Sequence, residues 1–107
     1  MKKIINGKMY NTETATVKGE YSNSYSVSDF KYFEETLYQK KTGEFFLHGE
    51  GGPLSPYKEV LGDSGATGGE KILPLSLDEA KKWAEEKLTA DEYIAIFGEV
   101  EEWKLIL

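Results

Sequence analysis

Cysteine and arginine are both missing from this chain of 107 residues, and histidine occurs once, as His48. Without cysteine there is no disulfide framework, no thiolate metal site and no cysteine nucleophile. A single imidazole argues against a histidine-built metal centre and against a serine triad. No apolar run approaches the length of a membrane span. The opening Met1-Lys2-Lys3 is followed only by Ile4-Ile5 before Asn6-Gly7, too little for the apolar core of a signal peptide. A cytoplasmic protein of a bacterial host cell, with no membrane partner, is the expectation. Positive charge is also scarce. Thirteen lysines face nineteen carboxylates, a formal charge of -6, so the surface repels free nucleic acid and anionic membranes.

What is present suffices for one domain, residues 1–107. Hydrophobic residues make up 39% and aromatics 13%, enough for one modest core. Asn6-Gly7 between Ile4-Ile5 and Lys8-Met9-Tyr10 predicts a type I′ hairpin, because that turn needs positive φ at both central positions. Asn11 can cap one helical turn beginning at Thr12. Gly19 to Ser28, rich in serine with isolated aromatics, reads as a surface loop anchored by Tyr21 and Tyr25. A second hairpin joins Glu35–Gln39 to Glu44–His48 across Lys40-Lys41-Thr42-Gly43. Its period of two puts Phe45 and Leu47 on one face, and Phe46 and His48 on the other. Two glycine-rich loops follow, the second from Gly62 to Gly69, around a short Tyr57–Leu61 piece.

Lys71–Leu75 reads as an apolar strand ended by Pro74. Ser76-Leu77-Asp78-Glu79 then has capping-box spacing and opens a helix. At 100° per residue, Leu77, Ala80, Trp83, Ala84 and Leu88 share one arc. Thr89-Ala90-Asp91-Glu92 repeats the box and opens a shorter helix with Ala90, Tyr93, Ile94 and Phe97 on one face, ended by Gly98. Glu101 to Leu107 reads as a final strand or an apolar contact segment. The fold class is α+β: a small antiparallel sheet, built from the two hairpins and the Lys71–Leu75 strand, packed on one face against two C-terminal helices.

Few residues carry a chemical signature. Gly62-Asp63-Ser64-Gly65 copies the surroundings of a serine-protease nucleophile but lacks the rest of that machinery. Gly65 to Lys71 departs from a phosphate loop, since Glu70 stands where phosphate would sit. His48 near Glu44 and Glu50 does not define a metal site, so neither metal nor cofactor is expected. The pairs Glu34-Glu35, Glu85-Glu86 and Glu101-Glu102 read as solvated surface, because adjacent side chains point apart. Tyr21, Tyr25, Phe30, Tyr32 and Phe33 read as core and loop anchors. No catalytic residue emerges, and no enzyme is expected.

The charge is concentrated. Between Asp78 and Glu102 stand nine carboxylates, Asp78, Glu79, Glu85, Glu86, Asp91, Glu92, Glu99, Glu101 and Glu102, against Lys81, Lys82 and Lys87. The rest of the chain is balanced, ten against ten. A one-sign field on a rigid element steers a protein toward a basic partner.

Several blocks also resemble a known group. They are Lys3-Ile4-Ile5-Asn6-Gly7-Lys8-Met9-Tyr10-Asn11-Thr12-Glu13-Thr14-Ala15, then Glu35-Thr36-Leu37-Tyr38-Gln39-Lys40-Lys41-Thr42-Gly43-Glu44-Phe45-Phe46-Leu47-His48-Gly49-Glu50-Gly51-Gly52. Gly69-Glu70-Lys71-Ile72, Ala80-Lys81-Lys82-Trp83-Ala84-Glu85-Glu86 and Phe97-Gly98-Glu99-Val100-Glu101-Glu102 complete them. Together they resemble a family of small acidic proteins carried by phages and integrative elements of Firmicutes, similar to anti-CRISPR proteins that inhibit Cas9. Trp103 to Leu107 departs from the usual ending. The resemblance implies a stoichiometric inhibitor bound to Cas9 or its guide-RNA complex. An acidic face would take the place of phosphates in a basic channel, without direct nucleic-acid binding. The nine carboxylates are the expected contacts. The alternatives are a general DNA-mimic antirestriction protein, which would bind several DNA-binding proteins, a regulatory protein-binding module of a mobile element, and a small enzyme, which would need a pocket of perturbed titratable groups.

Overall fold

The computed structural model describes residues 1–101. The expected α+β architecture is present, as antiparallel sheets followed by two C-terminal helices. Strands β1 (Lys2–Ile5) and β2 (Lys8–Asn11) pair across Asn6 and Gly7, whose φ values of 51° and 76° are those of a type I′ turn. Asn11 then accepts a hydrogen bond from the Glu13 N–H at 2.9 Å, and its carbonyl accepts one from Ala15 at 3.1 Å, closing the single expected turn.

The main sheet contains β3 (Thr16–Ser22), β4 (Phe33–Gln39), β5 (Phe45–Gly51) and β8 (Gly69–Leu75), in the order β3-β4-β5-β8 and antiparallel throughout. The β4–β5 hairpin lies where its alternation places it, with Gly43 at a φ of 96° in the turn. Between β5 and β8, β6 (Glu59–Val60) and β7 (Ala66–Thr67) form a two-residue ladder around a 3-10 turn at Gly62–Ser64. The second glycine-rich stretch is thus partly paired, not wholly loop.

Three expectations are corrected. Gly19–Ser22 is strand, not loop. Its polar residues Glu20 and Ser22 alternate with Gly19 and Tyr21, and only the latter face the helices, as suits an edge strand with one dry side. At Gly19 a Cβ would come within 2.7 Å of the Leu88 side chain, so the strand passes close under the end of the first helix there. Second, the β1–β2 hairpin does not extend the main sheet but forms a sheet of its own. It covers the sheet's other face through Tyr10 and Ile5, packed on Phe46 and Ile72. Third, Pro74 lies inside β8, where an edge position tolerates the missing N–H.

Helix α1 (Leu77–Lys87) opens on a reciprocal capping box: Glu79 N–H donates to Ser76 Oγ at 3.1 Å, and Ser76 N–H donates to Glu79 Oε1 at 2.8 Å. Helix α2 (Ala90–Phe97) repeats it with Thr89 and Glu92, at 3.2 and 2.9 Å. Ala80, Trp83 and Ala84 are buried against Leu37, Phe45 and Leu47, with Leu88, Tyr93, Ile96 and Phe97 around them. Leu77, at the margin of the expected arc, is 52% exposed. In α2, Ile96 joins the core contacts of Tyr93 and Phe97, whereas Ala90 is exposed. Phe46 and Leu37 are fully buried on opposite faces of the sheet, each worth roughly 2–3 kcal/mol of burial. The sheet is therefore the middle layer of three.

Candidate functional sites

The carboxylates singled out by charge all lie on α1, α2 and the segment after Gly98. Asp78, Glu85 and Glu86 are exposed on α1, Asp91 is exposed in the first turn of α2, and Glu99 and Glu101 are exposed beyond the helices. Glu102 and Trp103 to Leu107 lie outside the described residues. Two members have a structural task. One oxygen of Glu79 and one of Glu92 close the capping boxes, and these hydrogen bonds from backbone N–H groups hold both carboxyls below the ordinary carboxylate value. The others, among the described residues, make no ion pair. Lys81 and Lys82 interrupt the field on α1.

A second carboxylate group escaped the sequence reading. Register pairs Glu34 of β4 with Glu50 of β5, and Glu50 with Glu70 of β8, so three glutamates stand side by side on one face. His48, two residues before Glu50 and on the same face, places its Nε2 3.0 Å from Glu70 Oε2. Tyr32 Oη donates to Glu34 Oε2 at 2.6 Å. The mutual interaction of the two facing carboxyls lowers Glu34 and raises Glu50, with the Tyr32 hydroxyl adding to the lowering of Glu34 and burial to the raising of Glu50. Glu44, expected near His48, instead pairs with Lys8 at 3.1 Å and Lys40 at 3.5 Å.

Glu35, the neighbour of Glu34, points to the opposite face, as adjacent strand residues must. It is not solvated surface: the Trp83 indole donates to Oε1 at 3.0 Å, and the Tyr57 hydroxyl donates to Oε2. Burial first, and then this bond to Glu35, raises the Tyr57 hydroxyl far above its ordinary value. The ring of Tyr57 lies over Gly49, in the space a Cβ there would fill. Glu35 thereby ties β4 to α1 and to the β5–β8 connection.

Around the Glu50–Glu70 pair, Val27, Tyr32 and the backbone of Gly51, Gly52 and Gly69 line an open cleft. Nearby Phe30 and Leu54 are 64% and 62% exposed, and Tyr25 is 45% exposed, so Tyr25 and Phe30 do not anchor their loop as expected. Among the described residues no helix is long and apolar enough to cross a membrane. Comparison with protein-family models, curated proteins and solved structures found no match.

Proposed function

We propose that this chain is an anti-CRISPR-type inhibitor that binds a Cas9 effector stoichiometrically and presents an acidic helical face where nucleic acid would lie. One observation carries the reading: Asp78, Glu85, Glu86 and Asp91 stand exposed, with no ion pair among the described residues, on two short helices that capping boxes hold in shape. Carboxylates displayed on such a support accept charge-assisted hydrogen bonds from lysine and arginine at little conformational cost. A Cas9-type nuclease holds its heteroduplex in a positively charged channel and reads a short duplex motif with arginines, so such a face is complementary to it. The resemblance of the sequence blocks to Cas9 inhibitors supports the same partner. Glu99 and Glu101 extend the acidic face, while Glu79 and Glu92 serve the caps first.

The test is a titration of the protein into guide-loaded Cas9 before target DNA is added, at low and moderate salt. Cleavage should fall to background near an equimolar ratio and recover in part as salt rises. Full cleavage at a large excess of the protein, with no retention of the nuclease in a pulldown, refutes the proposal.

A further inference from the structure

We infer that His48, Glu50 and Glu70 form a binding site for a divalent transition-metal ion of the Zn2+ type, on the sheet face beside the N-terminal hairpin. Their donor atoms all lie within 4.8 Å of one another, and His48 Nε2 is already 3.0 Å from Glu70 Oε2. A tetrahedral ion about 2.0–2.1 Å from each donor holds neighbouring donors about 3.3 Å apart. The His48–Glu70 pair therefore opens by only a few tenths of an ångström to admit the ion. Glu50, with a flexible side chain, closes by at most about 1.5 Å to reach the same spacing. Nitrogen from one imidazole with oxygen from two carboxylates suits Zn2+ and its neighbours, whereas Mg2+ and Ca2+ favour all-oxygen sets.

The strand register brings the donors together. Glu50 and Glu70 are direct cross-strand partners, and His48 shares their face two residues along β5. Glu34, which accepts a hydrogen bond from Tyr32 at 2.6 Å, stands opposite Glu50 on β4, outside the ligand set. Like charges directly opposed in a ladder destabilise it. Among the described residues no lysine pairs with Glu34, Glu50 or Glu70. A bound cation removes that repulsion. Three protein ligands leave a fourth position for water or a small anion, and Glu50 and Glu70 also line the open cleft beside Val27 and Gly52. This inference is independent of the nuclease reading, since none of its donors lies on α1 or α2.

Because the chain holds a single histidine, the test is direct. Zn2+ alone is titrated into chelator-treated full-length protein while the imidazole nitrogen resonances of His48 are followed by NMR. The site predicts a shift at Nε2 that saturates at one equivalent, and a rise in the thermal unfolding midpoint with added Zn2+. In Glu50→Gln and Glu70→Gln the shift should need at least tenfold more Zn2+, while in Glu13→Gln it should not change. The inference is overturned if the wild-type ring signals stay put at tenfold excess. It is overturned equally if they drift without saturating, or if the glutamine variants, folded by their amide spectra, titrate like wild type. Should a variant fail to fold, the wild-type stoichiometry decides alone.

Discussion

The two faces of the central sheet are made by the same four strands, yet they differ in kind. Toward the helices, Leu37, Phe45 and Leu47 meet Ala80, Trp83 and Ala84, and the one carboxylate there, Glu35, is met by two donors. Toward the hairpin, Tyr10, Phe46 and Ile72 seal only one end of the face. The other end leaves Glu34, Glu50 and Glu70 abreast, with His48 as their only base among the described residues. A two-residue period builds both faces, and what covers them decides their roles. The helix face is a core whose buried polar side-chain groups are all matched among the described residues. The hairpin face combines a small aromatic anchor with an unbalanced charged row, a local departure of the kind found at functional or strained sites.

The two faces separate most sharply at Phe46. This ring is fully buried, stacked on Tyr38 at 5.1 Å and edge-on to Tyr10 at 5.5 Å. Phe46→Ala should cost about 4 kcal/mol in denaturant unfolding and detach the hairpin, with Tyr10 amide protection lost before that of Leu37. Equal loss at both residues would mean that the two faces fold as one unit. On the helix side, Tyr57→Phe leaves Glu35 with only the Trp83 donor and should cost about 1–2 kcal/mol. A neutral result would show that solvent satisfies Glu35 as well as the phenol does.

The acidic row predicts the opposite sign. In metal-free protein, Glu50→Gln removes a charge between two others and lets an amide donate to Glu34. It should stabilise by about 0.5 kcal/mol, read as a raised thermal midpoint. The smallest effect concerns pH. Glu79 and Glu92 have carboxyls lowered from the ordinary value of 4.5 by their cap hydrogen bonds. Their contribution is therefore complete above that value and is lost as pH falls through the lowered ones. Helix content followed by circular dichroism should decline in that acid range, and less so in a Glu79→Gln, Glu92→Gln variant, whose amides still cap but do not titrate.

The features legible in the sequence were local ones. Asn6-Gly7, the hairpin around Gly43 and both capping boxes declare themselves within a few residues, since turn and cap chemistry depends on φ and on adjacent donors. Strand β3 was hidden because an edge strand with a polar outer side has the composition of a loop. The glutamate row and the Glu35 link were hidden for another reason. His48 and Glu70 are 22 positions apart, as are Glu35 and Tyr57, and only the register of β4, β5 and β8 brings the row together. Once the β4–β5 hairpin is centred on Thr42, Glu34 and Glu50, eight positions to either side, fall opposite each other, a signal the sequence did contain. The helix carboxylates were legible by composition, but the double duty of Glu79 and Glu92 follows only from the cap geometry.

We propose above that the helix carboxylates form the docking face. The most direct test is the affinity of Glu85→Lys, Glu86→Lys protein for guide-loaded Cas9, measured beside wild type and Glu50→Gln at one salt concentration. If these carboxylates dock on the nuclease, the double reversal binds at least tenfold more weakly with an unchanged unfolding midpoint, and Glu50→Gln keeps wild-type affinity. Unchanged affinity in a correctly folded double reversal would contradict the proposal.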